Sequence, residues 1–361
     1  MVSTEHPKIL FIADEVPQSI HAGSIQFFRI FKNYPSENLI VFGKAPDPHA
    51  SVLNCNYYPL QFPLTQRLRN SRFGRILSNL QASGLFLNSL PAELKTVADT
   101  YKPDLVISLM QDITFYYPAY QYAKTSNIPF ILFCHDDVEE FANPHKIFKK
   151  ALVRRNSKIY GHASKRICIS PMMAEKWQEK YSHYSDYLYP IPSDTILPRP
   201  LSEARELKKK GILTLGYAGS LAYGYDDGLN SIIGTLEESG TILNIYQNVG
   251  SSLKNSANVS YRGYSKTAEE TWDRIKAECD AVILAYSQKD IYTELYYSHF
   301  PSKIPDYLSL QMPIIIYGPE YAAGVVFGRE NSKSFCVCTN LLELTSFIDN
   351  LKADSNERYR L

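Results

Sequence analysis

No apolar run in the sequence approaches the ~20 residues that a membrane-spanning helix needs. The chain also has almost no net charge: 38 Lys+Arg stand against 37 Asp+Glu, for +1. That balance lacks the global basic footprint of a nucleic-acid binder, so no nucleic acid is expected as a partner. Cysteines are few: six in 361 residues, scattered as Cys55, Cys134, Cys168, Cys279, Cys336 and Cys338. Their settings, such as Phe133-Cys134 and Ile167-Cys168-Ile169, suit buried reduced thiols better than a disulfide framework. Cys336 and Cys338 share a strand face, but two ligands alone fall short of a metal site, and no metal or cofactor is expected. Internal repeats and low-complexity tracts are missing. No leader is expected either, since Lys8 opens a short strand where a signal peptide would carry a long apolar region. A cytoplasmic protein is expected, at most peripheral at the inner face of a membrane.

At 361 residues the chain exceeds what one core supports, and its 45% apolar content suffices for two. The charge divides unevenly. Residues 1–195 carry 21 basic and 17 acidic side chains, and residues 196–361 carry 17 and 20. Basic residues cluster at Arg67, Arg69, Arg72 and Arg75, and again at Lys146, Lys149, Lys150, Arg154, Arg155 and Lys158. Such segments suit an anionic membrane surface or, more blandly, a solvated helix face.

Short apolar runs alternate with amphipathic stretches. Lys8–Ala13 (KILFIA), Asn38–Phe42, Leu105–Ser108, Phe130–Phe133 and Ile167–Ile169 read as strands. Helices are expected at Ser24–Tyr34, Pro91–Tyr101, around Tyr116–Lys124 and at Met172–Tyr181. Tyr189–Pro200 holds four prolines in twelve residues and reads as a linker. The pattern then restarts, with strands expected at Leu213–Ala218, Leu243–Gln247, Ala281–Ala285 and Pro313–Tyr317. Alternation of this kind implies parallel sheets covered on both faces by crossover helices. The fold class expected is α/β, with two Rossmann-like doubly wound domains: 1–190, a linker at 191–211, and 212–361. Ligands of such sheets bind at the carboxyl ends of the strands.

The segment Ser298–Glu320 (SHFPSKIPDYLSLQMPIIIYGPE) is the most informative. Ser302 reads as the N-cap of a helix over Lys303–Gln311, with Pro305 tolerated in its first turn. Free N–H groups there, with Lys303, suit a phosphate. Asp306, one turn in, can accept hydrogen bonds from a ribose diol. Plain capping and dipole compensation explain the same residues.

This segment, with Leu215–Ile232 and Val259–Tyr286, resembles the retaining GT-B glycosyltransferases of the GT4 type. The PSK-x-x-D-Y-L stretch matches a variant common in surface-polysaccharide transferases. The resemblance implies two domains facing across a cleft and a nucleotide-sugar donor, UDP- or GDP-linked. It implies metal-independent hexosyl transfer with retention to a glycan or lipid-linked acceptor. Position by position, Gly219 and Ser220 would approach the donor diphosphate or sugar. Arg262, Gly263 and Tyr264 would flank the base, Ser302 and Lys303 the distal phosphate, and Asp306 the ribose. Gly23 and Ser24 match the glycine loop after the first strand and would bind the donor. His135 matches a histidine near the transferred sugar and would be catalytic with Asp136 beside it, while Asp137 has the alternative of capping the next helix.

Departures accompany the match. Ser298 stands where an acid is usual, Leu221–Tyr225 lacks the usual Arg and Lys, and the chain stops at Asn356–Leu361. They motivate a second reading, a catalytically silent GT-B-fold scaffold that partners an active transferase. A sugar-nucleotide epimerase is a third, lacking identifiable acids.

Overall fold

A computed structural model describes residues 6–20, 22–60, 80, 90–141, 146–194, 211–248, 253–265 and 267–353. The chain divides into two compact units, Met1–Tyr189 and Pro190–Leu361. His21, the arginine cluster Arg67–Arg75, the second half of the Pro-rich segment and Asn356–Leu361 lie outside the described residues.

Unit 1 is built on seven parallel strands: β1 (Ile9–Ile12), β2 (Leu39–Gly43), β3 (Asn56–Pro59), β4 (Leu105–Leu109), β5 (Phe130–Cys134), β6 (Lys165–Cys168) and β7 (Asp186–Tyr187). Their order is β3-β2-β1-β4-β5-β6-β7, so the direction of winding reverses between β1 and β4. The central strands are apolar throughout because both faces are covered. Ile9 and Phe11 look into one core with Val41, Ile107, Leu109 and Phe133. Leu10, Ile12, Val106 and Leu132 are buried as well, and alternation places them on the opposite face.

The first core is closed by helix α1 (Ala22–Phe31). Phe27 and Phe31, one turn apart, pack on Phe11 with ring centroids 4.8 and 5.7 Å away. Further helices are α2 (Ala92–Tyr101), α3 (Ile113–Ser126), α4 (Val138–Phe141), α5 (Lys146–His162) and α6 (Pro171–Tyr181). Asp112 caps α3 through Thr114 N–H, and Ser170 caps α6 through Met173 N–H. The tyrosine-dense stretch serves packing: Tyr116, Tyr120 and Tyr122 of α3 are buried.

Unit 2 repeats the plan with β8 (Thr214–Ala218), β9 (Ile242–Tyr246), β10 (Val259–Tyr261), β11 (Ala281–Ala285), β12 (Ile314–Tyr317) and β13 (Cys336–Cys338). Its order is β10-β9-β8-β11-β12-β13, all parallel, reversing between β8 and β11. Crossovers are made by α7 (Tyr225–Glu238), α8 (Ala268–Glu278), α9 (Thr293–Ser298), α10 (Lys303–Ser309) and α11 (Ala323–Glu330), and α12 (Leu341–Ala353) follows β13. The expected α/β class with two doubly wound domains is what the structure has. Among the described residues, no helix is long and apolar enough to cross a membrane.

Candidate functional site

The carboxyl edge of the second sheet gathers most of the residues singled out from sequence. β8 ends at Ala218, and Gly219 follows with φ +122°. That conformation is one L side chains rarely adopt, so the turn needs glycine. A Cβ at Gly219 would also meet the Lys303 side chain, 2.8 Å from Cε and 3.1 Å from Nζ. The exposed loop Gly219–Ser220 thus lies directly against Lys303.

Lys303 sits in a tyrosine box. Its ammonium lies 4.1 Å from the Tyr225 ring centroid and 4.7 Å from that of Tyr217. Nζ donates to Tyr217 Oη at 3.1 Å, and Tyr217 Oη donates in turn to Ser220 C=O at 2.6 Å. This relay ties the lysine to the glycine loop. Burial pulls the Lys303 pKa down from the ordinary lysine value to about 7. The two ring faces attract the charged form and oppose that pull. A group whose charge is this weakly satisfied by protein is ready to pair with an anion.

Helix α10 is pinned beneath the same loop. Ala218 N–H donates to Tyr307 Oη at 3.1 Å. The expected capping role of Ser302 is not realised. Its backbone is already helical (φ −61°, ψ −17°), and its side chain makes no capping bond. The reason lies in Pro305. An N-cap oxygen serves the second or third N–H of the helix. Ile304 N–H instead goes to Pro301 C=O at 3.2 Å, and Pro305 has no N–H. The helix also ends at Ser309, two residues before expectation, with Gln311 at φ 52°.

Asp306 is 7% exposed, and its Oδ1 accepts Ser193 N–H at 3.0 Å. Its carboxylate therefore anchors the segment that opens unit 2. Ser298, in the position where an acid was expected, is 2% exposed and returns its hydroxyl to Glu294 C=O at 3.2 Å.

The loop leaving β10 carries Arg262, Gly263 and Tyr264. Arg262 Nε donates to Glu278 Oε2 at 2.8 Å, which holds the guanidinium above its ordinary pKa. Gly263, at φ 71°, donates its N–H to Gln247 C=O at 3.1 Å. Tyr264 is 62% exposed. Gln247, which sequence reasoning missed, donates Nε2 to Gly219 C=O at 2.9 Å. It couples the β10 loop to the glycine loop.

In unit 1, His135 follows β5 and stacks on Phe27 at 5.3 Å and 15°. Asp136 is half-buried beside it. Asp137 caps α4 through Glu139 N–H at 3.2 Å and pairs with Lys176 at 3.2 Å, which realises its alternative structural reading. Gly23 and Ser24 lie in the first turn of α1, Ser24 being 1% exposed. His135 and Gly23 are brought together: a Cβ at Gly23 would stand 3.7 Å from His135 Nδ1. Sequence reasoning also missed Asp14 and Glu15 after β1, and Gln111 after β4. Glu15 accepts from Gln111 Nε2 at 3.2 Å, and Asp14 pairs with Lys44 at 3.4 Å. Their signal was position alone, immediately after strands flanking the reversal.

No protein-family profile matches the sequence, and no curated protein matches it. Solved structures do. HepE from Anabaena, in complex with UDP, superposes with a TM-score of 0.65 at 14% identity, covering 98% of this chain and 93% of that one. Sucrose-phosphate synthase from Thermosynechococcus elongatus gives 0.64 at 13%, covering 98% and 92%. A glycosyltransferase from Rickettsia africae gives 0.58 at 10%, covering 98% and 90%. Likeness at this identity establishes the fold: the two doubly wound units make up the GT-B architecture.

Proposed function

We propose that this protein is a glycosyltransferase that moves a sugar from a nucleotide-diphosphate donor to a glycan or lipid-linked acceptor. Unit 2 takes the donor. The observation that carries this reading is Lys303, held in its tyrosine box without a carboxylate partner among the described residues and in contact with Gly219 at the reversal of the second sheet. A cation so placed stabilises the charge that builds on a departing diphosphate, which is usually the largest catalytic contribution. Fold relatives add support, since HepE structures hold UDP and UDP-glucose.

In this reading Gly219 and Ser220 approach the diphosphate, with Ser302 and Lys303 on its distal phosphate. Gly263 and Tyr264 border the base, with Arg262 fixed behind them by Glu278. Asp306 takes the ribose while retaining Ser193. Gly23 and Ser24 take part in donor binding, and His135 and Asp136 in catalysis. Retention and a place in surface-polysaccharide or glycolipid assembly are what the PSK-x-x-D-Y-L resemblance implies. No metal is assigned a part.

A peripheral membrane contact fits helix α5. Residues 146–162 contain no acid, and Lys150, Arg154 and Lys158 are exposed at four-residue spacing. Like charges at that spacing cost the helix a few tenths of a kcal/mol per pair. An anionic lipid surface would relieve that repulsion.

Calorimetry with UDP, GDP and their sugars, without divalent metal, tests the donor site. One nucleotide family is expected to bind, more weakly to Lys303→Ala. Release of nucleoside diphosphate from one donor would mark a live transferase. Binding without turnover would leave a silent scaffold, and no binding by folded protein would refute the donor site.

A further inference from the structure

One polar residue at the carboxyl edge of the second sheet has no part in the donor reading so far. Gln247 follows β9, the strand beside β8, and is half-buried. It bonds to two loops at once. Its side chain donates Nε2 to Gly219 C=O at 2.9 Å. Its own backbone C=O accepts Gly263 N–H at 3.1 Å. The next residue adds to the second contact, since Asn248 Oδ1 accepts Tyr264 N–H at 3.4 Å. The loop that borders the base and the loop that approaches the diphosphate therefore meet on one residue.

What Gln247 does to the glycine loop follows from peptide geometry. A trans peptide carries its C=O and its N–H on opposite sides of one plane. Holding Gly219 C=O thus turns Ser220 N–H away from Gln247. The following peptide is held in the same manner, because Tyr217 Oη donates to Ser220 C=O at 2.6 Å. Both carbonyls of the loop, its electronegative ends, are occupied by side-chain donors. Ser220 is exposed, and its N–H has no hydrogen-bond partner among the described residues. Lys303 borders the same loop, with Nζ 3.1 Å from the place of a Cβ on Gly219. Backbone N–H groups and a cation on one side of a loop suit the oxygens of an anion. Glycine, however, tolerates conformations that other residues rarely adopt, and Gly219 has φ +122°. Without a tether, the Gly219–Ser220 peptide can rotate and turn its carbonyl where its N–H stood.

We propose that Gln247 is a positioning residue of the donor site, which locks the Gly219–Ser220 peptide with its N–H toward the diphosphate and its carbonyl away. This rests on the nucleotide-sugar reading above, and every contact it uses lies within unit 2. Gln247 touches no phosphate itself; it acts through Ser220 N–H. Because its backbone also holds Gly263, a shift of the loop beside the base is passed to the loop beside the diphosphate. The two ends of the nucleotide are then recognised together.

The test uses full-length protein, with UDP and GDP as probes in calorimetry. Gln247→Met keeps the length of the side chain and the backbone C=O that holds Gly263, and removes only the N–H donor. It should weaken the nucleotide that wild type binds by about 5- to 50-fold, part of the worth of one charge-assisted hydrogen bond. Gln247→Glu keeps the shape, has no N–H when ionised, and should weaken binding at least as much. Circular dichroism and unfolding profiles matching wild type identify the folded variants. A second readout follows the Ser220 amide directly in protein labelled with [15N]serine, its resonance assigned by its loss in Ser220→Ala. In wild type the Ser220 amide proton should move downfield when nucleotide saturates the site. In Gln247→Met at saturation that movement should shrink or vanish. Nucleotide affinity within about twofold of wild type in a folded variant overturns the proposal. So does a weakened variant whose Ser220 amide still moves as in wild type, because Gln247 would then act through something other than that peptide. Wild type that binds neither UDP nor GDP refutes the donor site itself, and this proposal with it.

Discussion

Replacing Lys303 by Met should make the protein more stable and worse at binding nucleotide, with a pH dependence that identifies the cause. The lysine amine loses hydration on folding, and its pKa falls from 10.5 to about 7. Taken alone, that difference is a destabilisation of about 5 kcal/mol at 1.36 kcal/mol per unit. Two ring faces at 4.1 and 4.7 Å return roughly 1–2 kcal/mol each. Part of the side chain reaches solvent, which trims the penalty further. The net cost is about 1–3 kcal/mol.

Because the folded pKa lies below the unfolded one, this cost is fully present below about pH 7. It is relieved as pH rises toward the unfolded value. Lys303→Met keeps the volume and removes the charge, and Tyr217 keeps its bond to Ser220 C=O. The variant should therefore melt roughly 3–8 °C higher at pH 6, and the gain should vanish near pH 10. Its UDP affinity should fall about 10- to 150-fold, the worth of one charge-assisted hydrogen bond. The assay is thermal unfolding from pH 6 to 10.5, read on the transition that UDP shifts, with calorimetry at pH 7. Equal or lower melting at pH 6 would refute the idea that an unsatisfied cation is stored there. Unchanged UDP affinity would refute its use for phosphate.

Gly219→Ala combines a left-handed backbone with contact on the Lys303 side chain, so a loss of about 1–3 kcal/mol is expected. UDP affinity should drop with it; calorimetry on folded protein reads the second effect. Asp306→Asn keeps an acceptor for Ser193 N–H but removes the charge, so unfolding should move by less than about 1 kcal/mol. A ribose contact would then appear as weaker UDP binding with affinity for inorganic pyrophosphate unchanged. Reversing Lys150, Arg154 and Lys158 to Glu should release the protein from vesicles of phosphatidylglycerol in a flotation assay, each charge contributing about 1 kcal/mol near the surface. Equal flotation of the triple variant would exclude α5 as the contact.

The sequence alone determined the sheet centres and the class of fold. Strands such as Lys8–Ala13, Asn38–Phe42 and Pro313–Tyr317 announce themselves because burial on both faces demands unbroken apolar runs. Edge strands carry no such demand. Asn56–Pro59, at one edge, is exposed or half-buried, and its pairing is decided by neighbours that the local sequence does not show. The segment Ser298–Glu320 was legible as a motif, and so the places of Ser302, Lys303 and Asp306 were known before their surroundings. Their partners were not. The failure of Ser302 as a cap follows from Pro305, three residues on, and was available to a stricter reading of the sequence. The box around Lys303 was not available, because Tyr217 lies 86 residues away. Nor was the contact of Glu15 with Gln111, which are 96 residues apart. Parallel sheets bring together loops separated by whole crossover units, so local pattern fixes which loops reach the carboxyl edge. Which side chains meet there, and how far their charges are stripped of water, is decided only when the sheet is wound.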